Sequence, residues 1–144
     1  MYKLKHGYLI GNDFLDIVDE LKDDIDIQWY QSKNDIKHAE EIYWANNSKL
    51  LNSDYVIVDL DSVNEINTYE FGVAWTINYI RKMLNRSGHK DAVKQLDKFN
   101  ICEKSIIGIS KTKDKNYLLI ATKDQGKVFK TNREVIDYIK NKEK

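Results

Sequence analysis

Apolar positions along the chain recur with two periods, one typical of buried strands and the other of amphipathic helices. Short apolar runs predict strands at 3–10, 25–30, 55–60 and 105–110. Apolar residues three and four positions apart predict helices at 14–22, 36–51, 70–85, from Lys90 onward and after Thr131. The segment 116–121 is ambiguous, and its β-propensity favours a strand.

Local signals mark several ends of these elements. Asn12 or Asp13 is expected to cap the first helix, and Gly88 is expected to end the long third helix. Thr131 and Glu134 form a Thr-x-x-Glu capping box that predicts the start of the last helix. Because strands and helices alternate along the whole chain, we expect one parallel sheet with helices on both faces.

Composition narrows the class of protein. The chain has 144 residues, which suits a single domain over 1–144, and it is 42% hydrophobic and 32% charged. Basic and acidic residues balance at 23 each, so no nucleic-acid partner is expected. Cys102 is the only cysteine, which excludes an internal disulfide and predicts no zinc-type site. With no long apolar segment, we expect a cytoplasmic protein without a membrane partner.

Residues 54–80 combine an apolar strand, a polar loop and a helix that Glu70 is expected to open. In an open parallel sheet, ligands bind beyond the carboxyl ends of the strands, and a helix N-terminus favours a carboxylate there. Glu70 is then either an ionised nucleophile in a crevice or an ordinary partner of the helix dipole. The loops 11–14 and 59–68 should meet beside this crevice.

Several short motifs carry a resemblance to a known family. Asp54 opens the central strand, Asn67 and Thr68 follow, and Glu70, Gly72 and Ala74 form an E-x-G-x-A pattern. Residues 45–54 (ANNSKLLNSD) lead into that strand, and residues 7–14 (GYLIGNDF) end the first one. Together they resemble the nucleoside 2-deoxyribosyltransferases and the related deoxynucleoside monophosphate N-glycosidases.

The resemblance implies a flavodoxin-like three-layer α/β/α domain with a five-stranded parallel sheet. It favours a short helix at 116–121 followed by a fifth strand at 126–130, and it makes 86–103 an insertion. It also implies cleavage or transfer at the N-glycosidic bond of a 2'-deoxynucleoside or deoxynucleotide through a covalent deoxyribosyl intermediate on Glu70. No cofactor or metal is required, and the family implies a homo-oligomer.

The same resemblance implies a set of site residues. Glu70 is the nucleophile, and Asp61 is a candidate to protonate the leaving base. Substrate contacts are expected from two groups of residues near the strand ends. They are Tyr8, Gly11, Asn12, Phe14, Asn46, Asp59, Asn64, Asn67 and Thr68, with Gln125 reaching a neighbouring subunit's pocket.

The sequence departs from the family pattern at three of these positions. Asn64 and Asn46 stand where the family commonly has Asp, and an amide cannot supply a proton. Asn67 adds a side chain where the family has Gly. A non-catalytic nucleoside-binding domain on the same scaffold is therefore an alternative reading.

A receiver-like phosphoacceptor domain is a further alternative. Asn12, Asp13, Asp59 and Ser110 resemble its acidic pocket, phosphoacceptor and switch hydroxyl, and such carboxylates would bind magnesium. The chain contains no proline, however, so the Lys-Pro pair expected after the fifth strand is absent.

Overall fold

The computed structural model describes residues 4–33, 36–62, 64–112 and 116–144. The strands are β1 (Lys5–Ile10), β2 (Ile27–Gln31), β3 (Tyr55–Asp59), β4 (Ser105–Ile109) and β5 (Gly126–Phe129). The helices are α1 (Leu15–Leu21), α2 (Ala39–Leu51), α3 (Glu65–Arg86), α4 (Lys90–Lys98), α5 (Tyr117–Gln125) and α6 (Asn132–Lys142). A single 3-10 turn, Ile36–His38, leads into α2. Of the first predicted strand, Lys3 lies outside the described residues.

All five strands run parallel in the order β2-β1-β3-β4-β5. Gly7 pairs with Tyr55, and Tyr55 pairs in turn with Ser105, so the strands begin at one edge and end at the other. We call these the amino edge and the carboxyl edge of the sheet. The predicted flavodoxin-like three-layer α/β/α architecture is confirmed, with the strand order reversing between β1 and β3.

Alternate residues of the strands supply two separate cores, one on each face of the sheet. Leu9, Ile57 and Ile107 belong to the core that α1 and α6 cover. Tyr8, Val56 and Ile106 belong to the core on the other face, which includes Leu50 of α2, Phe71 of α3 and Leu119 of α5. Every strand position in the middle of the sheet is therefore covered, as the nearly continuous apolar runs predict.

The start of α3 differs from the prediction. The helix begins at Glu65 and not at Glu70, because the Asn64 side chain caps it by accepting a hydrogen bond from the Asn67 N–H at 2.8 Å. Asn64, Asn67 and Thr68 have low helix propensity, so their pattern resembles a loop. Glu70 consequently lies in the second turn, beyond the residues that the helix N-terminus stabilises as anions.

Two other cap predictions have opposite outcomes. Neither Asn12 nor Asp13 caps α1, whose N-cap is Phe14 without a side-chain hydrogen bond. Asp13 instead has a positive φ of 68°, which belongs to a turn. At α6, the Thr131 hydroxyl accepts a hydrogen bond from the Glu134 N–H at 3.2 Å, which confirms the predicted helix start.

The segment after α3 forms the predicted short helix. Gly88 has a φ of +80° and separates α3 from α4. Arg81 of α3 holds the segment by an ion pair with Asp97 at 2.9 Å and a hydrogen bond to the Ile101 carbonyl at 3.0 Å. That this segment is an insertion relative to the family remains a prediction.

The helix and strand expected from the resemblance near the C-terminus are confirmed as α5 and β5. The strand reading of 116–121 is wrong, because the Asn116 side chain caps a helix there by accepting from the Leu119 N–H at 2.8 Å. None of the helices among the described residues has the length and apolar character needed to cross a bilayer.

Candidate functional site

Glu70 lies near the carboxyl edge of the sheet with its side chain turned inward. The residue is only 3% exposed. One carboxylate oxygen accepts a hydrogen bond from the Tyr8 hydroxyl of β1, and the other accepts one from the Ser32 hydroxyl at 2.5 Å. Tyr8 is fully buried, and Ser32 directly follows β2, so α3 and two neighbouring strands converge on this carboxyl group.

Burial controls the charge of this group. Removal from water penalises the carboxylate and raises the pKa of Glu70 to about 7. Because α3 begins at Glu65, Glu70 lies beyond the first turn, where the helix N-terminus would favour its anion. Near neutral pH the side chain exists in both protonation states.

Glu70 lines a cavity of about 340 Å³ between α2 and α3, which we call the Glu70 groove. Its apolar walls come from Ala39 and Ile42 of α2 and from Ile66 of α3. Its polar lining residues are Lys33, Asn46, Asn47 and Glu65. A mostly apolar cleft of this size with a few polar groups is typical of a small-molecule site.

Two tyrosines form an aromatic side of the groove. Tyr43 of α2 and Tyr69 of α3 have ring centroids 6.2 Å apart and ring planes tilted by 34°. The Tyr69 hydroxyl also donates to Asn47 Oδ1 at 3.3 Å. Both rings are about half exposed, so they present their faces to whatever occupies the groove.

Asn46 is 5% exposed, and its side chain connects α2 to Tyr30 and Lys33 by hydrogen bonds beneath the groove. Its Oδ1 accepts from the Tyr30 hydroxyl at 2.9 Å and from the Lys33 N–H at 3.4 Å, and its Nδ2 donates to the Lys33 carbonyl at 3.0 Å. Tyr30 stacks on Tyr8 with ring centroids 5.6 Å apart, and burial raises the pKa of Tyr30. Asn46 is thus in the groove, as predicted, but its amide is engaged by protein groups.

Three predicted substrate contacts instead build the start of α3. Asn64 caps the helix, and the Thr68 hydroxyl donates to the Asn64 carbonyl at 2.8 Å. Asn67 is buried, and its Nδ2 donates to the Ser62 carbonyl at 3.0 Å. None of the three lines the Glu70 groove.

A second, smaller cavity of about 110 Å³ lies beside β1 and β3 at the carboxyl edge. Four of the predicted site residues line this cavity: Asn12, Phe14, Asp59 and Asp61. Gly11 is next to Asn12 in this loop and has a φ of +113°. A Cβ at this position would lie 2.6 Å from the Asp59 Cβ, so only glycine fits. Phe14 packs in the α1 and α6 core, on the opposite face of the sheet from Glu70.

The carboxylate of Asp61 is hydrogen-bonded to the loop that follows β4. Its carboxylate accepts from the Lys111 N–H at 2.7 Å and from the Thr112 and Ser110 hydroxyls at 3.2 and 3.4 Å. Asp61 does not line the Glu70 groove. The geometry therefore gives it a role in joining two loops and does not bring it to the groove as a proton donor.

Gln125 ends α5, immediately before β5, and lies at the amino edge. It is far from the groove of its own chain, so its contact with a neighbouring subunit's pocket remains a prediction. Within the described residues, no group of three or more His, Cys, Asp or Glu side chains is placed to hold a metal ion.

Comparisons with protein-family models and with curated proteins find no match to the chain. The resemblance given above therefore depends on its motifs alone. Tyr8 and Glu70, which lie in two different motifs, are joined by a hydrogen bond in the structure.

Sequence reasoning does not identify several residues that contact Glu70 or line its groove. Ser32 carries no local signal, because only the fold brings the end of β2 to α3. Tyr43 follows helical spacing and so resembles a core position, whereas Tyr69 precedes the predicted helix start at Glu70. Both line the groove and are about half exposed. Glu65 lies in the segment that was interpreted as a loop.

Proposed function

We propose that the protein cleaves or transfers the N-glycosidic bond of a 2'-deoxynucleoside or deoxynucleotide through a covalent deoxyribosyl intermediate on Glu70. The observation that carries the proposal is the buried Glu70 carboxyl, held by the Tyr8 and Ser32 hydroxyls where it meets the groove. A carboxyl group fixed in orientation inside a water-poor cleft is suited to nucleophilic catalysis.

In the first step a Glu70 oxygen forms a bond to the anomeric carbon while the bond from that carbon to the base nitrogen breaks. The electron pair of the broken bond leaves with the base, which takes up a proton. Water or a second base then displaces the carboxylate from the same carbon. Two displacements restore the original configuration, and the anion of Glu70 offsets the positive charge that develops on the sugar.

The groove offers partners for the rest of the substrate. Tyr43 and Tyr69 present aromatic faces to a planar base, and Asn47 offers amide groups to its edge. Lys33 supplies a cation for a 5' phosphate. Because Asn46 and Asn64 are not acids, the base receives its proton from Glu65, which also lines the groove, or from water.

The same proposal includes the setting in which the enzyme works. It acts in the cytoplasm, needs no cofactor, and forms a homo-oligomer in which Gln125 approaches a neighbouring groove. Support for the oligomer comes from the exposed side of α3 beyond the groove, where Ile80 and Met83 are each more than 40% exposed.

The test is chromatographic. The protein is incubated with each 2'-deoxynucleoside and its 5'-monophosphate, with and without a free acceptor base, beside Glu70→Ala. Base release or exchange that Glu70→Ala abolishes is expected, and dependence on the acceptor separates transfer from hydrolysis. No turnover by the wild-type protein across the whole panel would contradict the proposal.

A non-catalytic nucleoside-binding domain is the second candidate, and one observation favours it. Both positions where the family commonly has Asp hold amides that bind protein backbone groups, Asn46 at Lys33 and Asn64 at Asn67. Calorimetric binding of a nucleoside that is recovered unchanged would select this alternative.

A further inference from the structure

Glu70 is held by one group on a strand and one in a loop. Tyr8 is fixed within β1, whereas Ser32 begins the connection from β2 to α2. Ser32 is 8% exposed, and its N–H donates to the Leu9 carbonyl at 2.9 Å, which anchors its backbone to the sheet. Its hydroxyl links this connection to Glu70.

The next residue, Lys33, is fixed by a two-way amide clamp. Asn46 of α2 accepts from the Lys33 N–H at 3.4 Å and donates to the Lys33 carbonyl at 3.0 Å. Only a side chain with both a donor and an acceptor can do this, so a carboxylate at position 46 would lose one half of the clamp. The amide that departs from the family pattern therefore has a structural reason.

We infer that Ser32 is a positioning residue for Glu70, and that Asn46 acts through it by clamping the backbone beside it. The hydroxyl fixes the direction of one carboxylate oxygen and favours the ionised form that a nucleophile needs. The catalytic part of this role rests on the proposed function. The effect on Glu70 itself does not, since it can be measured without any substrate.

Infrared spectroscopy measures the protonation of the Glu70 carboxyl group directly. The signal is the difference between the spectra of the wild-type protein and Glu70→Gln, recorded across a pH series. Other titratable groups lie around it on every packed element, and none of them is substituted in the variants below. They are Tyr8 on β1, Tyr30 on β2, Lys33 in the loop, Tyr43 on α2, and Glu65 and Tyr69 on α3.

Ser32→Ala removes one donor to the carboxylate, so the titration midpoint of Glu70 should rise by about one pH unit. Asn46→Ala should move it in the same direction by a smaller amount, because it removes the clamp on Lys33 and leaves the Ser32 hydroxyl in place. Ser32→Thr keeps a hydroxyl and should restore a midpoint close to that of the wild-type protein. If the wild-type protein turns over substrate, Ser32→Ala should lower kcat more than it changes KM.

Asn78→Ala is a closely matched control. Asn78 forms the same two-way clamp on the backbone of Lys104, with hydrogen bonds of 2.8 and 2.9 Å, but at the amino edge of the sheet. Its removal should reduce stability without moving the Glu70 midpoint.

An unchanged midpoint in Ser32→Ala would overturn the inference, as would an equal shift in Asn78→Ala, which would indicate general loosening. A shift in Ser32→Ala without one in Asn46→Ala would overturn the part assigned to Asn46. Failure of the wild-type protein to act on any nucleoside would remove the proposed function, but the infrared midpoints would still decide this inference.

Discussion

Among the described residues, the buried acidic and basic side chains are Glu70, near the carboxyl edge of the sheet, and Lys104, near the amino edge. Comparing the two separates a candidate reactive group from a structural one. At the carboxyl edge, Glu70 meets two hydroxyls and an open groove. At the amino edge, Lys104 is 3% exposed, and its ammonium group donates to the carbonyls of Leu51, Ser53 and Cys102 at 2.9, 2.8 and 3.4 Å. Lys104 thus uses its three donors on backbone groups.

Burial moves both groups toward neutrality. It raises the pKa of Glu70 to about 7 and lowers the pKa of Lys104 to about 8. A shifted pKa alone therefore does not identify a reactive site in this molecule. What distinguishes Glu70 is that its carboxyl lines a groove that a small molecule can enter, whereas the hydrogen bonds of Lys104 join the end of α2 to the chain before β4.

The largest expected effect is on turnover. Glu70→Gln keeps the shape and the burial but removes the nucleophile, so base release should fall by more than about 10³-fold. The matched control is Glu143→Gln, because Glu143 also accepts a hydrogen bond from a buried tyrosine, Tyr55, but lies near the amino edge. Comparable losses in both variants, measured by chromatography, would contradict the assignment.

Lys104 should matter for stability and not for turnover. Lys104→Met keeps the length of the side chain but leaves three carbonyls without this donor, so the free energy of unfolding should fall by about 2 kcal/mol. Urea denaturation measures this, with exposed Lys123→Met as the control. A loss of turnover in the folded Lys104→Met protein would show that the two edges are coupled.

The two groups should also give stability a specific pH dependence. The folded pKa of Glu70 lies above its ordinary value of 4.5, so its stabilising contribution is complete below pH 4.5 and is lost as the pH rises through about 7. The folded pKa of Lys104 lies below 10.5, so its contribution is complete above pH 10.5 and is lost as the pH falls through about 8. These two groups together predict lowest stability between those pKa values.

Two variants test the acid and the alkaline parts of this pH dependence of stability separately. Glu70→Gln should remove the loss of stability on the acid side of neutrality, and Lys104→Met should remove the gain on the alkaline side. Urea midpoints from pH 4 to pH 11 would measure both. A Glu70→Gln profile with the same acid-side slope as the wild-type protein would show that Glu70 is not buried as a largely neutral group.

Sequence predicted the order of elements because their signals are local. The apolar run of β3 and the Thr131 capping box depend on neighbouring residues alone, and both were confirmed. The start of α3 was misplaced because Asn64, Asn67 and Thr68 have low helix propensity, whereas the cap at Asn64 depends on a backbone geometry that propensity does not include.

The candidate site was predictable only where a motif pointed to it. Glu70 and Tyr8 were found through the resemblance, and the structure joins them. Ser32 was not, because its hydrogen bond with Glu70 forms only when the fold brings the end of β2 next to α3. The resemblance also implies a site role for Phe14, but Phe14 precedes α1, packs in the α1 and α6 core and lines the smaller cavity instead of the Glu70 groove.

The smallest expected effect concerns Asn64. Asn64→Ala removes the α3 cap and should lower the free energy of unfolding by about 1 kcal/mol. Asn116→Ala, which removes the cap of α5, should cost a similar amount. Only the Asn64 variant should also raise KM, because the first turn of α3 carries Glu65 and Ile66 into the groove.

Asn64→Asp sharpens this test, because Asp is an equally good cap but lacks the amide donor. If Asn64 only caps α3, Asn64→Asp should match the wild-type protein in stability and in base preference. A changed order of preference among the four deoxynucleosides would place the Asn64 side chain on the substrate, as the resemblance implies. The cap geometry favours the first result, since the Asn64 oxygen already accepts from the Asn67 N–H.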